Sequence, residues 1–171
     1  MTTSAHQPTF RIAIDMDGVL TESPTPLARA ANKEFGLDLP DLAFVDSSGL
    51  NVPLSVREWV YRPDGPASRL HPAHGAQKFI RDLISLAGED NVIIVTARPE
   101  NSAEMTIRWF HEHGFESIQI IFADDKTAIA SRQGCSFAVE DSLRHARNYS
   151  AGDVTCFLIN VPIGFALGIA A

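Results

Sequence analysis

The chain has 171 residues, 45% of them hydrophobic and 20% charged, and a formal net charge of -7. That is enough chain for one domain with a real core and a small insertion, too little for two ordinary domains, and the composition excludes extensive disorder. The acidic balance argues against a nucleic-acid polymer as partner, because phosphate backbones are bound through Lys and Arg; a small anion would need a cation or a local basic cluster.

Met1 to Thr9 is polar and lacks the apolar segment of a secretory signal. The apolar run Phe10-Arg11-Ile12-Ala13-Ile14 then reads as a buried strand. It leads directly into Asp15-Met16-Asp17-Gly18-Val19-Leu20, which places two carboxylates one residue apart where the backbone leaves the sheet. Alternate strand residues point to opposite faces, so both carboxylates reach one ligand only if the second lies past the strand end, where Gly18 lets the chain turn. Such a pair suits a hard cation and a nucleophile. The plainer alternative is a turn cap at Asp15 and a solvated Asp17.

From Thr21 to Pro72 the chain is punctuated by prolines and is too long for a simple crossover. Its apolar spacing predicts two helices, Leu27 to Phe35 and Leu54 to Tyr61. We expect a small helical insertion over the strand edge, where long insertions often act as lids, with a stabilising ornament or a dimer surface as the alternative. The expected division is therefore a core of residues 1–20 and 73–171 and a cap of residues 21–72. His71 and His74 fall near the hinge, and either a structural or a substrate-contacting role fits them.

Four further apolar runs each end in a polar residue: Asn91 to Val95 at Thr96, Ile118 to Ala123 at Asp124, Ser136 to Val139 at Glu140, and Val154 to Ile159 at Asn160. Helical spacing separates them, in Phe79 to Leu86, Met105 to Phe110, around Ala128 and Ile129, and around Leu143 and Ala146, with glycines near the helix ends. The fold class that follows is α/β: a Rossmann-like parallel sheet with helices on both faces and the helical cap inserted after the first strand. Ligands of such sheets bind at the carboxyl ends of the strands, so the terminal polar residues would share one edge. Cys135 and Cys156 lie in or beside apolar runs, outside any metal-type spacing, and read as buried thiols of a reducing compartment. The apolar tail Val161 to Ala171 is shorter than the ~20 residues of a membrane span. A cytoplasmic protein without membrane contact is the expectation, and a homo-oligomer is left open.

Asp15-Met16-Asp17-Gly18-Val19, Thr96 in Val95-Thr96-Ala97-Arg98, Lys126, and Glu140-Asp141-Ser142 resemble, in order and on successive strand ends, the four motifs of the haloacid dehalogenase (HAD) superfamily of phosphotransferases. The match spans Phe10 to about Ile159. The resemblance implies a HAD-like fold and displacement at a phosphate ester, which needs an in-line nucleophile, charge neutralisation and a proton for the leaving oxygen. Asp15 takes the part of nucleophile. Two unit charges ~4 Å apart at an effective dielectric of ~20 repel by roughly 4 kcal/mol, so neighbouring carboxylates call for a divalent ion. Mg2+, which takes oxygen ligands and keeps several waters, is the implied cofactor. By resemblance its ligands are the Asp15 carboxylate, the Asp17 carbonyl oxygen and the Asp141 carboxylate, with Glu140 orienting them from behind.

Asp17 then has its side chain left to protonate the leaving oxygen and later to deprotonate water. Members of the superfamily that act on carbon-halogen bonds or phosphonates commonly lack an Asp at this position, which favours phosphate esters. Thr96 offers a hydroxyl, and the backbone N-H groups after it, at Ala97 and Arg98, offer donors to a phosphoryl oxygen. Arg98 would reach a substrate phosphate or base, or else pair with acidic neighbours on the surface. Lys126 would place a point charge beside the same oxygens, with Arg132 as its substitute, since an acidic helix start at Asp124 and Asp125 gives Lys126 an ordinary solvated alternative.

The insertion and the Val-Thr-Ala-Arg motif look most like the 5'(3')-deoxyribonucleotidase branch, which implies a nucleoside monophosphate as the small phosphorylated partner and Phe44, Trp59 and Tyr61 as candidates to stack on a base or to fill the cap core. Glu140-Asp141-Ser142 departs from the Asp-Asp pair of that branch and looks like the motif of sugar-phosphate mutases and phosphatases, which stay open as the alternative. A phosphorylatable receiver module is the remote alternative. There the phosphorylated Asp ends the third strand and the Lys the fifth, whereas these runs end in Asp124 and Asn160.

Overall fold

A computed structural model of the chain describes residues 10–46, 48–115 and 118–159. Met1 to Thr9, Asn160 and the tail Val161 to Ala171 lie outside the described residues. Five strands, β1 (Arg11–Ile14), β2 (Val92–Thr96), β3 (Gln119–Phe122), β4 (Cys135–Glu140) and β5 (Thr155–Leu158), form one parallel sheet in the order β3-β2-β1-β4-β5. The Rossmann-like α/β class read from the sequence is the one observed.

Strand alternation divides the apolar side chains between two layers. Ile12, Ile14, Val92 and Ile94 pack with Ile80, Trp109 and Phe110 of α3 (Ala76–Ala87) and α4 (Ala103–Glu112), whereas Ala13, Ile93, Val95 and Ala138 pack with Ala130 and Tyr149 of α5 (Lys126–Arg132) and α6 (Leu143–Ala151). The central strands are therefore apolar from Ile12 to Ile14 in β1 and from Val92 to Val95 in β2, which is why they read as continuous runs. Each such aliphatic side chain contributes ~1.5–3 kcal/mol when fully buried. Both cysteines are free, Cys135 buried and Cys156 half-buried. Burial pushes their thiols up, to about 11 and about 12, so neither is a thiolate at neutral pH.

Between β1 and α3 lie two further helices, α1 (Thr25–Phe35) and α2 (Leu54–Val60), and a 3-10 turn at Pro66–Arg69. Leu27, Ala31, Val56, Val60, Tyr61 and Leu70 give this insertion its own core, to which Met105 of α4 also belongs. An antiparallel bridge between Thr21 and Pro72 closes its base, with Glu22 N-H donating to His71 O at 2.7 Å and Ala73 N-H to Leu20 O at 2.8 Å. Trp109 Nε1 donates to Leu70 O at 2.7 Å and Arg108 Nη2 to Pro63 O at 2.9 Å, so α4 is stitched to the far end of the insertion.

Candidate active site

The carboxyl ends of β1, β2 and β4 converge on one pocket of charge. Asp15, the first residue past β1, is anchored by its N-H to Val139 O at 3.0 Å. Gly18 then turns the chain at φ +83°, a left-handed conformation; a Cβ there would collide with the Asp141 carboxylate. Two independent constraints thus demand glycine, backbone shape and room for Asp141. Gly18→Ala should displace Asp141 and cost most of the divalent-ion affinity, measured by calorimetric titration with Mg2+; binding as in the parent would show that the turn tolerates a side chain.

Asp125 caps α5 by accepting from Ala128 N-H at 3.0 Å, and Lys126, the next residue, is buried rather than solvated. Its Nζ donates to Asp15 Oδ1 at 2.6 Å and to Glu140 Oε1 at 2.5 Å. Burial works against the ammonium, but Asp15 and Glu140 outweigh it and raise its pKa above the ordinary value. Arg132, the substitute considered from the sequence, instead turns its Nε to Ala128 O at an exposed position. The other Glu140 oxygen, Oε2, accepts from Ser142 N-H at 3.2 Å, so Glu140 holds Lys126 with one oxygen and the start of α6 with the other. Ser142 caps α6 and donates from Oγ to Asp46 Oδ1 at 2.5 Å, bringing the insertion beside Asp141.

Thr96, at the end of β2, is buried, and its Oγ1 accepts from Arg98 N-H at 3.2 Å. That N-H is therefore engaged within the loop. Ala97 is buried between them. The Arg98 side chain pairs with an acidic neighbour, as one of the two expectations had it, but not on the surface. It is wholly buried, and it grips Asp17 with Nε to Oδ2 at 2.8 Å and Nη2 to Oδ1 at 2.6 Å. Its remaining nitrogen, Nη1, points to Thr106 Oγ1 at 3.3 Å and Met105 Sδ at 3.7 Å.

The residues present suit a divalent cation. Asp15, Glu140 and Asp141 each offer a carboxylate oxygen, all within 4.8 Å of one another. Asp141 Oδ1 is buried and has no hydrogen-bond partner among the described residues, a costly arrangement unless something else satisfies it. Among the described residues, the four buried carboxylates of Asp15, Asp17, Glu140 and Asp141 are accompanied by two buried cations, Arg98 and Lys126, which leaves an excess equal to the charge of one divalent ion. His145, nearby on α6, does not alter that balance: burial, with Lys126 and Arg144, pushes its pKa down to about 3.

The same excess sets a pH dependence. Burial, then Glu140, pushes Asp15 up to about 7, and burial, then Asp15 and Glu140, pushes Asp141 up to about 9. Both folded-state values exceed the ordinary carboxylate value, so the folded protein holds protons that the unfolded chain has released, and stability present below about pH 4 is lost as pH rises through about 7 and then 9. In EDTA the Tm should fall by several degrees between pH 5 and pH 9, and added Mg2+ should raise it more at pH 9 than at pH 5. A Tm that climbs with pH would contradict this account.

A cleft of about 480 Å3 opens onto Gly18 and Asp141 and is lined also by Leu42 and Val45 of the insertion and by His71 and His74. Phe44 and Tyr61 are buried in the insertion core, and Trp59 packs edge-on against Phe35 with Arg62 over its ring. None of the three aromatics lines this cleft.

The chain is similar in structure to a HAD hydrolase, family IA, variant 3, from Entamoeba histolytica HM-1:IMSS, at 15% identity and a TM-score of 0.61, over 94% of this chain and 89% of that one. It is also similar to a hydrolase from Streptococcus pneumoniae TIGR4, at 10% identity and a TM-score of 0.52, over 95% of this chain and 100% of that one. The fold is that of HAD hydrolases. No protein-family model matches the sequence, and no curated protein matches it. Among the described residues no helix is long and apolar enough to cross a membrane.

Proposed function

We propose that this chain is a Mg2+-dependent phosphatase of the HAD superfamily that hydrolyses a small phosphate monoester through an aspartyl-phosphate on Asp15. The observation that carries this reading is the convergence of Asp15, Lys126, Glu140 and Asp141, from three separate strand ends, on one buried point with a carboxylate oxygen left unpartnered. Bound there by the Asp15 and Asp141 carboxylates and the Asp17 carbonyl oxygen, a divalent ion would neutralise the crowded carboxylates and the phosphoryl oxygens.

In the first step an Asp15 carboxylate oxygen forms a bond to phosphorus as the ester oxygen departs, and Asp17 gives that oxygen its proton. In the second step Asp17 takes a proton from water, the water oxygen bonds to phosphorus, and the bond from phosphorus to Asp15 breaks. Lys126 and the Thr96 hydroxyl, with the Ala97 N-H, stabilise charge on the transferring oxygens. Residues 21–72 act as a cap over the cleft, with the strand-bearing remainder as the core.

For the leaving group, the branch resemblance supports a nucleoside monophosphate. A sugar-like, hydroxyl-rich leaving group is the second reading, favoured by a cleft lining that presents His71, His74, Glu22 and Ser23 and none of Phe44, Trp59 and Tyr61. A panel of nucleoside monophosphates beside sugar phosphates, assayed for released phosphate with Mg2+ and with EDTA, tests both. Turnover should require the ion and return when it is restored. Hydrolysis that persists in EDTA, or no repeated release from any ester, would end the reading.

A further inference from the structure

Arg98 is spent before any substrate arrives. Its side chain has 0% exposure, two nitrogens are committed to Asp17 and the third to Thr106 and Met105. The Tyr61 ring of the insertion covers the guanidinium, with the central carbon 5.7 Å from the ring centroid. No face of this group is left for a phosphate. What it does hold is the one carboxylate of the site that Lys126 does not touch and that is absent from the Asp15, Glu140 and Asp141 cluster.

We infer that Arg98 is the positioning residue for Asp17, keeping the proton-transfer carboxylate apart from the nucleophile and the cation cluster. The inference rests on the phosphatase reading above and adds a role that the reading does not supply. A guanidinium fork meets both oxygens of a carboxylate in one plane, so it fixes orientation as well as position, which the point charge of a lysine cannot do. A carboxylate has about four lone-pair sites, and a bidentate fork uses two of them. The Thr21 hydroxyl lies 3.4 Å from Oδ1, so it is the outer site of Oδ2 that stays available for the proton that passes to the leaving oxygen and back from water. Without the fork, a buried Asp17 would turn toward the nearest remaining positive charge, which is Lys126 or the cation, and the acid would be lost to the leaving group. The Tyr61 ring over the guanidinium makes the position of Asp17 depend on the insertion as well as on the sheet.

The test exploits leaving groups. A nitrophenolate departs without a proton, whereas an alkoxide needs one, and general acid catalysis contributes ~10²-fold or more. In single-turnover assays of the first step, release of the leaving group, Arg98→Lys, which keeps the charge, should release nitrophenolate at close to the parent rate and lose about 100-fold on the best sugar phosphate or nucleotide of the panel, while the second step, where Asp17 takes a proton from water, slows alike for both. In an Asp17→Asn background the same substitution should cost nothing further, because both changes remove one function. A rise in KM for both ester classes would give Arg98 to the substrate phosphate and overturn the inference. So would equal losses in that first step on both classes, or losses that multiply in the double variant. Asp15→Asn in the same assays separates the two levels: turnover that survives it sinks the phosphatase reading itself, whereas its loss together with an Arg98→Lys variant indifferent to leaving group sinks the positioning role alone.

Discussion

Replacing Asp15 with Asn is expected to abolish phosphate release, by at least ~10⁴-fold in kcat, as removal of a nucleophile does when the rest of a site survives. The fold should persist. Asp15 lies past the end of β1 and is not part of either apolar layer, and burial among Glu140 and Asp141 already works against its charge. An uncharged amide there relieves repulsion, while Lys126 retains Glu140 as partner. In EDTA at pH 8 the variant should therefore melt no lower than the parent. Parallel measurement of Tm and single-turnover phosphate release checks both halves, and a variant that turns over like the parent would take the nucleophile away from Asp15.

The second large effect falls on Lys126. Lys126→Met keeps much of the buried stem and deletes the ammonium that donates to both Asp15 and Glu140. Removing one partner of a buried pair costs about 3–5 kcal/mol, because the remaining charge stays buried without compensation. The loss should be largest in EDTA at pH 8 and smaller at pH 5, where the raised pKa of Asp15 and Asp141 lets protons replace the ammonium. Turnover should fall about 100-fold to 1,000-fold, the usual cost of one preorganised group aimed at developing charge. Denaturant unfolding at the two pH values, with and without Mg2+, reads the first effect. Equal stability of parent and variant at pH 8 would mean that Asp15 and Glu140 do not share a charged partner there.

Much of this arrangement was legible before any coordinates. The apolar run before Asp15 and the run before Thr96 are strands because central parallel strands bury both faces, and that pattern survives in one dimension. Thr96, Glu140 and Asp141 are found at strand ends because polar residues there escape the layers. What sequence spacing could not convey is pairing across the sheet. Arg98 and Asp17 are separated by 81 positions, and Ser142 and Asp46 by 96; only the strand order β3-β2-β1-β4-β5 brings them together. An arginine two places after Thr96 reads naturally as a phosphate ligand, and its burial against Asp17 follows from α4 and the insertion closing over it. The third strand is also shorter than its run of apolar residues, Gln119–Phe122 rather than Ile118 to Ala123, as an edge strand with one paired side permits.

The insertion does not hang from the sheet by its two connecting segments alone. Met105 sits inside its apolar core, and Trp109 and Arg108 bond to its backbone at Leu70 and Pro63. Opening it would therefore expose one face of α4 and break two long-range hydrogen bonds, so the helix and the segment it grips belong to one cooperative unit. Cutting residues 21–72 out of the chain would not yield a minimal core but a sheet with a damaged helix, and whatever widens the cleft must do so without detaching that helix from its partner.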